Sequence, residues 1–169
     1  MSAPQSALLP AAAKCSLYRQ ALEQIASVLD GEPDRTARMA TVAAMLTETL
    51  RQAFWVGFYV VDPRRSEELV VGPYQGTLGC LRIPFSRGVC GAAARTGATQ
   101  IVPDVHAFPG HIACDSRSNS EIVVPVLDET GALIAVLDLD STSYSAFDGV
   151  DAAGLEAIVE AVFARLSSV

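Results

Sequence analysis

The sequence predicts an α+β fold, a single domain with a central antiparallel sheet and helices packed on its faces. Three observations lead there. Two stretches with apolar residues at helical spacing open the chain. Two apolar, β-branched segments are each followed, after a short turn, by a second such segment, and a third helical stretch closes the chain. The 169 residues suffice for one domain with a substantial core, and 50% hydrophobic against 18% charged is a globular composition. A net charge of −7 without a Lys/Arg cluster argues against nucleic acid as a partner. No apolar run reaches the length of a membrane span.

Residues 1–11 read as a flexible leader and 12–169 as the domain. The start lacks the positive charge of a signal peptide and Pro10 interrupts its apolar patch, so a cytoplasmic protein is expected. From Ala12 to Leu29, the residues Leu17, Ala21, Leu22, Ile25, Val28 and Leu29 recur at helical spacing, and Gly31 and Pro33 end the run. Cys15, among alanines, reads as a small apolar residue of a surface helix. Asp34 or Thr36 opens a second helix, with Met39, Val42, Ala43, Leu46 and Leu50 on one face. These two helices should pack together against one face of the sheet.

Phe54 to Asp62 is aromatic and β-branched, hence a strand; Pro63 to Ser66 turns, and Glu68 to Gly72 returns as its hairpin partner. Alternation puts Trp55, Gly57 and Tyr59 on one face, with Gly57 leaving space between the two rings. Such a set is either core packing or an aromatic wall for a ligand. Pro73 to Gly79 is a Gly-rich loop into Cys80, and Leu81 to Pro84 a short strand. Ser86, Arg87 and Gly88 open a short helix that runs through Arg95 and stops at Gly97. Gln100 to Val102 is a short strand, followed by an irregular run from Pro103 to Ser120, a length that usually carries function. Glu121 to Leu127 is a strand in which Pro125 hints at an edge or bulge; Asp128 to Gly131 turns, and Ala132 to Asp140 returns. Ser145 or Asp148 caps a last helix to about Leu166, with Leu155, Ile158, Val159 and Val162 apolar.

The chemistry centres on the loop P-G-H-I-A-C-D-S-R-S-N-S-E, residues 109–121, which holds Cys114. A thiol in a polar, turn-rich segment is no core filler, so Cys114 reads as a nucleophile. His111, three residues earlier, would raise its thiolate fraction if charged, or make a plain loop contact. Cys90 is a rival: in the first turn of a helix its thiolate would be favoured and its pKa lowered, while packing against alanines is an equally good account. No cysteine pair has C-x-x-C spacing and neither histidine belongs to an H-x-x-x-H pair, which argues against a structural zinc site. Asp138 and Asp140 share a face at period two. Either that face has left the core and both are solvated, or both line a pocket under the Cys114 loop.

The motifs W-V-G-F-Y, G-P-Y-Q-G, C-L-R-I-P, R-G-V-C-G, D-V-H-x-F-x-G-H-I-A-C-D, S-N-S-E-I-V-x-P and V-L-D-L-D-S resemble those of the free methionine-(R)-sulfoxide reductases, a branch of the GAF-domain fold. The similarity runs from Trp55 to the C-terminal helix. It implies an enzyme that reduces the R epimer of free methionine sulfoxide, with thioredoxin as reductant and neither cofactor nor metal. By motif match Cys114 is the nucleophile, Cys80 its resolving partner and Cys90 an auxiliary thiol. Trp55, Tyr59, Glu121, Asp138 and Asp140 match pocket residues, with Glu121 and Asp138 the expected proton donors. A homodimer through the outer helices is compatible with this architecture. The alternative class is a sensory GAF module that binds a small ligand, such as a cyclic nucleotide, without chemistry.

Overall fold

A computed structural model describes residues 9–165 of the chain. Helix α1 (Ala11–Val28) starts one residue inside the expected leader, whose residues 1–8 lie outside the described part. It buries Tyr18, Ala21 and Ile25 at helical spacing and gives way to Gly31, whose φ of +73° no β-carbon favours. Helix α2 (Arg35–Thr49) is capped by Asp34, whose carboxylate accepts the Ala37 N–H at 2.8 Å; Thr36 plays no such part. Its buried face is Met39, Val42, Ala43 and Leu46.

Six strands follow: β1 (Trp55–Val61), β2 (Glu68–Gln75), β3 (Arg82–Pro84), β4 (Gln100–Val102), β5 (Ser120–Leu127) and β6 (Leu133–Ser141). They form one antiparallel sheet in the order β3-β2-β1-β6-β5-β4. Helix α3 (Gly88–Thr96) ends at Gly97, which is left-handed at φ +66°. Helix α4 (Gly149–Val159) continues as a π-helical turn, Glu160–Ala164, and the expected end near Leu166 lies outside the described residues.

Strand alternation divides the interior in two. One face of the sheet, with Phe58, Ile122, Leu137 and Leu139, packs under α1, α2 and α4. The opposite face, with Trp55, Tyr59, Val123 and Val136, packs under α3 and the loops. The helices at the two ends of the chain are tied by a buried polar cluster. Lys14 donates to Asp148 at 2.8 Å and Asp151 at 2.7 Å, and the Tyr18 hydroxyl donates to Asp151 at 2.9 Å. Asp148, not Ser145, caps α4, in a capping box with Asp151.

Two prolines mark irregularities in the ladders, and the first departs from the sequence reading. β2 extends to Gln75 instead of ending at Gly72, because a bulge absorbs Pro73: Gly57 pairs with Tyr74 and Tyr59 with Val71, leaving Gly72 and Pro73 opposite Phe58. The N–H that proline lacks is therefore not required by the ladder. β5 is an interior strand, yet Pro125 behaves as an edge residue, since β4 pairs only as far as Val123.

Candidate active site

The register of the three central strands assembles the site. Trp55 on β1 lies opposite Asp140 on β6, which lies opposite Glu121 on β5. One step along, Gly57 faces Asp138, which faces Val123. Two aspartates at period two therefore share the α3 face with Trp55 and Tyr59, and of the two sequence readings the pocket holds. Asp138 and Glu121 are buried, at 5% and 6% exposure.

Three segments close over these rows. Helix α3 carries Cys90 to 3.9 Å from Glu121 Oε1. The loop after β4 brings His111 Nε2 to 3.7 Å from Glu121 Oε2, and carries Cys114. The loop after β2 brings Cys80, whose sulfur is bonded to that of Cys114, with Cα atoms 5.3 Å apart. Cys114 is exposed and Cys80 half-buried. Beneath the bridge lies a cavity of about 30 Å³ lined by Trp55, Tyr59, Cys90, Glu121, Asp138 and Asp140 among others. At roughly 10–15 Å³ for each water, it has room for about two.

The aromatic wall is a stack. Trp55 lies between Tyr59, at 5.6 Å between ring centroids, and Tyr74, at 5.2 Å. Gly57 is what lets it lie there, since a β-carbon at that position would fall 2.6 Å from the indole and 2.3 Å from Tyr74 Cβ. The indole N–H donates to the Thr77 carbonyl at 2.9 Å, which fixes the ring to the Cys80 loop. Sequence reasoning singled out the face but missed Thr77, Gly79 and Ser118. Gly79 packs a β-carbon's width from Trp55 and Tyr59, and Ser118 donates its hydroxyl to Asp140. Glycines and serines abound in these loops, so nothing in composition distinguishes these.

Crowded acids in a nearly dry space do not ionise freely. Burial, then the charge of Asp140, pushes the Glu121 carboxyl well up. Burial, then Asp140 and Glu121, does the same to Asp138, whose Oδ1 has no hydrogen-bond partner among the described residues. Asp140 is raised by burial to about 6, with the Ser118 hydroxyl and His111 holding it down. Cys90 corrects the sequence reading: its thiol is pushed up, not down, because burial and three neighbouring carboxylates outweigh the helix N-terminus. Burial lowers His111, which disfavours the charged ring proposed beside Cys114. Cys90 Sγ and carboxylate oxygens of Glu121 and Asp138 lie within 4.8 Å of one another, a donor set that could hold a small cation and that no sequence spacing announces. Cys15 stays exposed on α1, away from all of this. Among the described residues no helix is long and apolar enough to cross a membrane.

Comparison with known proteins places this arrangement. A family model described as GAF domain matches residues 33–163. The "GAF domain-containing protein A" of Dictyostelium discoideum is 49% identical over 134 residues, 79% of this chain and 82% of that protein. The "Free methionine-R-sulfoxide reductase" of Escherichia coli is 41% identical over 146 residues, 86% of each chain. Among solved structures, the free methionine-R-sulfoxide reductase of Neisseria meningitidis in complex with its substrate superposes with a TM-score of 0.84 at 48% identity, covering 96% of this chain and 90% of that one. Identity above 40% over most of both chains, on one and the same sheet, means that this chain belongs to the GAF-fold family of free methionine-(R)-sulfoxide reductases.

Proposed function

We propose that the chain reduces the R epimer of free methionine sulfoxide to methionine, with Cys114 as nucleophile, Cys80 as resolving thiol and thioredoxin as reductant. The Cys114 thiolate attacks the sulfoxide sulfur and the S–O bond breaks. Oxygen and one proton end on the cysteine as a sulfenic acid, and the thioether is released. Glu121 and Asp138 supply the proton, being carboxylic acids kept protonated by burial and by the neighbouring charge of Asp140. The Cys80 thiol then condenses with the sulfenic acid, expelling water and leaving the disulfide. Trp55 meets the S-methyl group, and Tyr59 and Asp140 complete the pocket. Cys90 is auxiliary: with its thiol pushed up it is a poor nucleophile.

The observation that carries this reading is the Cys80–Cys114 bridge across the mouth of an acid-lined cavity. It is the state a completed turnover leaves behind. Room for about two waters is too little for an amino acid, so loading requires the reduced form with the bridge open. A ligand sensor without chemistry has no use for paired thiols there. A reducing compartment, the cytoplasm, suits a cycle that begins from thiols. The test follows NADPH through thioredoxin reductase and thioredoxin with each epimer, then one stoichiometric turnover of Cys114→Ser and Cys90→Ser. The R epimer should be consumed and the S epimer spared; Cys114→Ser should make no methionine, and Cys90→Ser should still make it. Methionine from Cys114→Ser would overturn the assignment.

A further inference from the structure

The bridge must be opened before another cycle, and the surface around it bears on how; this inference rests on the function proposed above. Leu78 and Leu81 flank Cys80 in sequence and are 77% and 70% exposed, more than any other large apolar residue described. Their positions are held by the backbone beside them. The Thr77 carbonyl accepts from Trp55, the Thr77 hydroxyl donates to Asp115 at 2.7 Å, and the Leu81 carbonyl accepts the Val71 N–H at 3.0 Å. The neighbouring charges are already paired: Arg82 with Asp62 and Glu68, each at 2.6 Å, and Arg117 with Asp115 at 2.8 Å. Two exposed leucines on the segment that carries one cysteine of the bridge, with the charges of Arg82 and Arg117 already paired, have the composition of an interface anchor.

We propose that Leu78 and Leu81 are the docking surface for the protein dithiol that reduces the enzyme, and that it reads this apolar pair and not a charge pattern. Docked there, the partner's thiolate attacks Cys80 Sγ. A new S–S bond forms, the Cys80–Cys114 bond breaks, and Cys114 leaves as the thiolate the next turnover needs. The partner's second thiol, deprotonated, displaces Cys80 from the mixed disulfide. Two electrons have then passed to the enzyme, and the partner departs as a disulfide.

Leu78 also lines the cavity whereas Leu81 does not, so replacing Leu81 isolates docking from the substrate pocket. The experiment compares the intact protein with Leu81→Ser and, as a control across the sheet, Val28→Ser, which is 61% exposed on α1. Each is assayed with thioredoxin and with dithiothreitol, which needs no docking surface. Leu81→Ser should raise the KM for thioredoxin about tenfold, as loss of one interface anchor does, with little dependence on salt. Its rate with dithiothreitol and both parameters of Val28→Ser should stay unchanged. An unchanged thioredoxin KM overturns the proposal, as does an equal loss with both reductants. So does a shift from dimer to monomer with KM unchanged, which would assign the leucines to a second copy of the chain. No turnover of the intact protein with dithiothreitol would instead sink the reductase reading itself.

Discussion

Reducing the Cys80–Cys114 bridge should cost this protein stability that can be worked out from its topology. The bridge spans 34 residues of sequence. For a loop of that length, the chain-entropy estimate gives about 12–13 cal/mol/K lost from the unfolded ensemble, or about 4 kcal/mol at 25 °C. For a domain of this size, 1 kcal/mol moves the midpoint by roughly 2–4 °C, so the oxidised form should melt about 8–15 °C above the reduced one. In the bridged form Asp115 also accepts from Thr77, a second tie between the two loops. Loosening of those loops on reduction, which substrate loading requires, would bring the shift below the full value. Calorimetry of the protein with and without dithiothreitol measures the shift, and Cys80→Ser serves as a form that reductant should leave unmoved. An oxidised protein that melts within about 2 °C of the reduced one would refute the reasoning, as would an equal response of Cys80→Ser.

Glu121→Gln keeps the size of the side chain but removes its acidic proton; single-turnover methionine formation should fall about 100-fold or more while the sulfoxide still shifts the melting temperature. A rate within threefold of the parent would place the proton elsewhere. Gly57→Ala drives a methyl 2.6 Å from the Trp55 indole and 2.3 Å from Tyr74 Cβ, so it should destabilise by about 1–3 kcal/mol in denaturant titrations and raise the sulfoxide KM as the ring tilts. Stability should also fall as pH rises. Glu121, Asp138 and Asp140 are raised by folding, so the native state holds protons that the unfolded chain releases near pH 4. The loss begins there and runs through about 6 for Asp140, and the raised Glu121 and Asp138 add to it as they ionise. Urea midpoints between pH 4 and 8 would show it, and a rising trend would contradict the assigned shifts.

Asp138 and Asp140 illustrate what the sequence could and could not say. Their shared face follows from a period of two, which is local. Whether that face meets water or a pocket depends on Glu121 pairing opposite Asp140, a register that no local signal sets. Cys90 shows the same limit with the sign reversed. The helix N-terminus was legible and argued for a lowered pKa, but the opposing carboxylate lies 31 residues away and arrives only with the sheet. Lys14, in A-A-A-K, has no acidic neighbour in sequence, yet it is 2% exposed, because its partners Asp148 and Asp151 lie 134 and 137 residues on. The cysteine pairing was legible only through resemblance to a family, since no spacing in the chain singles out Cys80 for Cys114.

The two faces of the sheet do different work, and this is why a site with a bare buried carboxylate oxygen can persist. Among the described residues, the core under α1, α2 and α4 gathers 26 buried apolar residues and that under α3 gathers 12. At about 1.5–3 kcal/mol for each large side chain buried, the larger cluster supplies most of the burial that opposes chain entropy. The Oδ1 of Asp138, without a partner among the described residues, costs about 1–3 kcal/mol against it. Asp138→Val should therefore stabilise the protein by about that amount. Valine suits the central strand, its methyls can occupy the adjoining cavity of about 30 Å³, and it removes a carboxyl that burial disfavours. The same variant should lose turnover, because it removes one of the two carboxylic acids proposed to protonate the sulfoxide oxygen. Denaturant midpoints and single-turnover assays of this one variant decide the matter. A loss of stability would mean that the carboxyl is satisfied in solution and that the site imposes no strain on the fold.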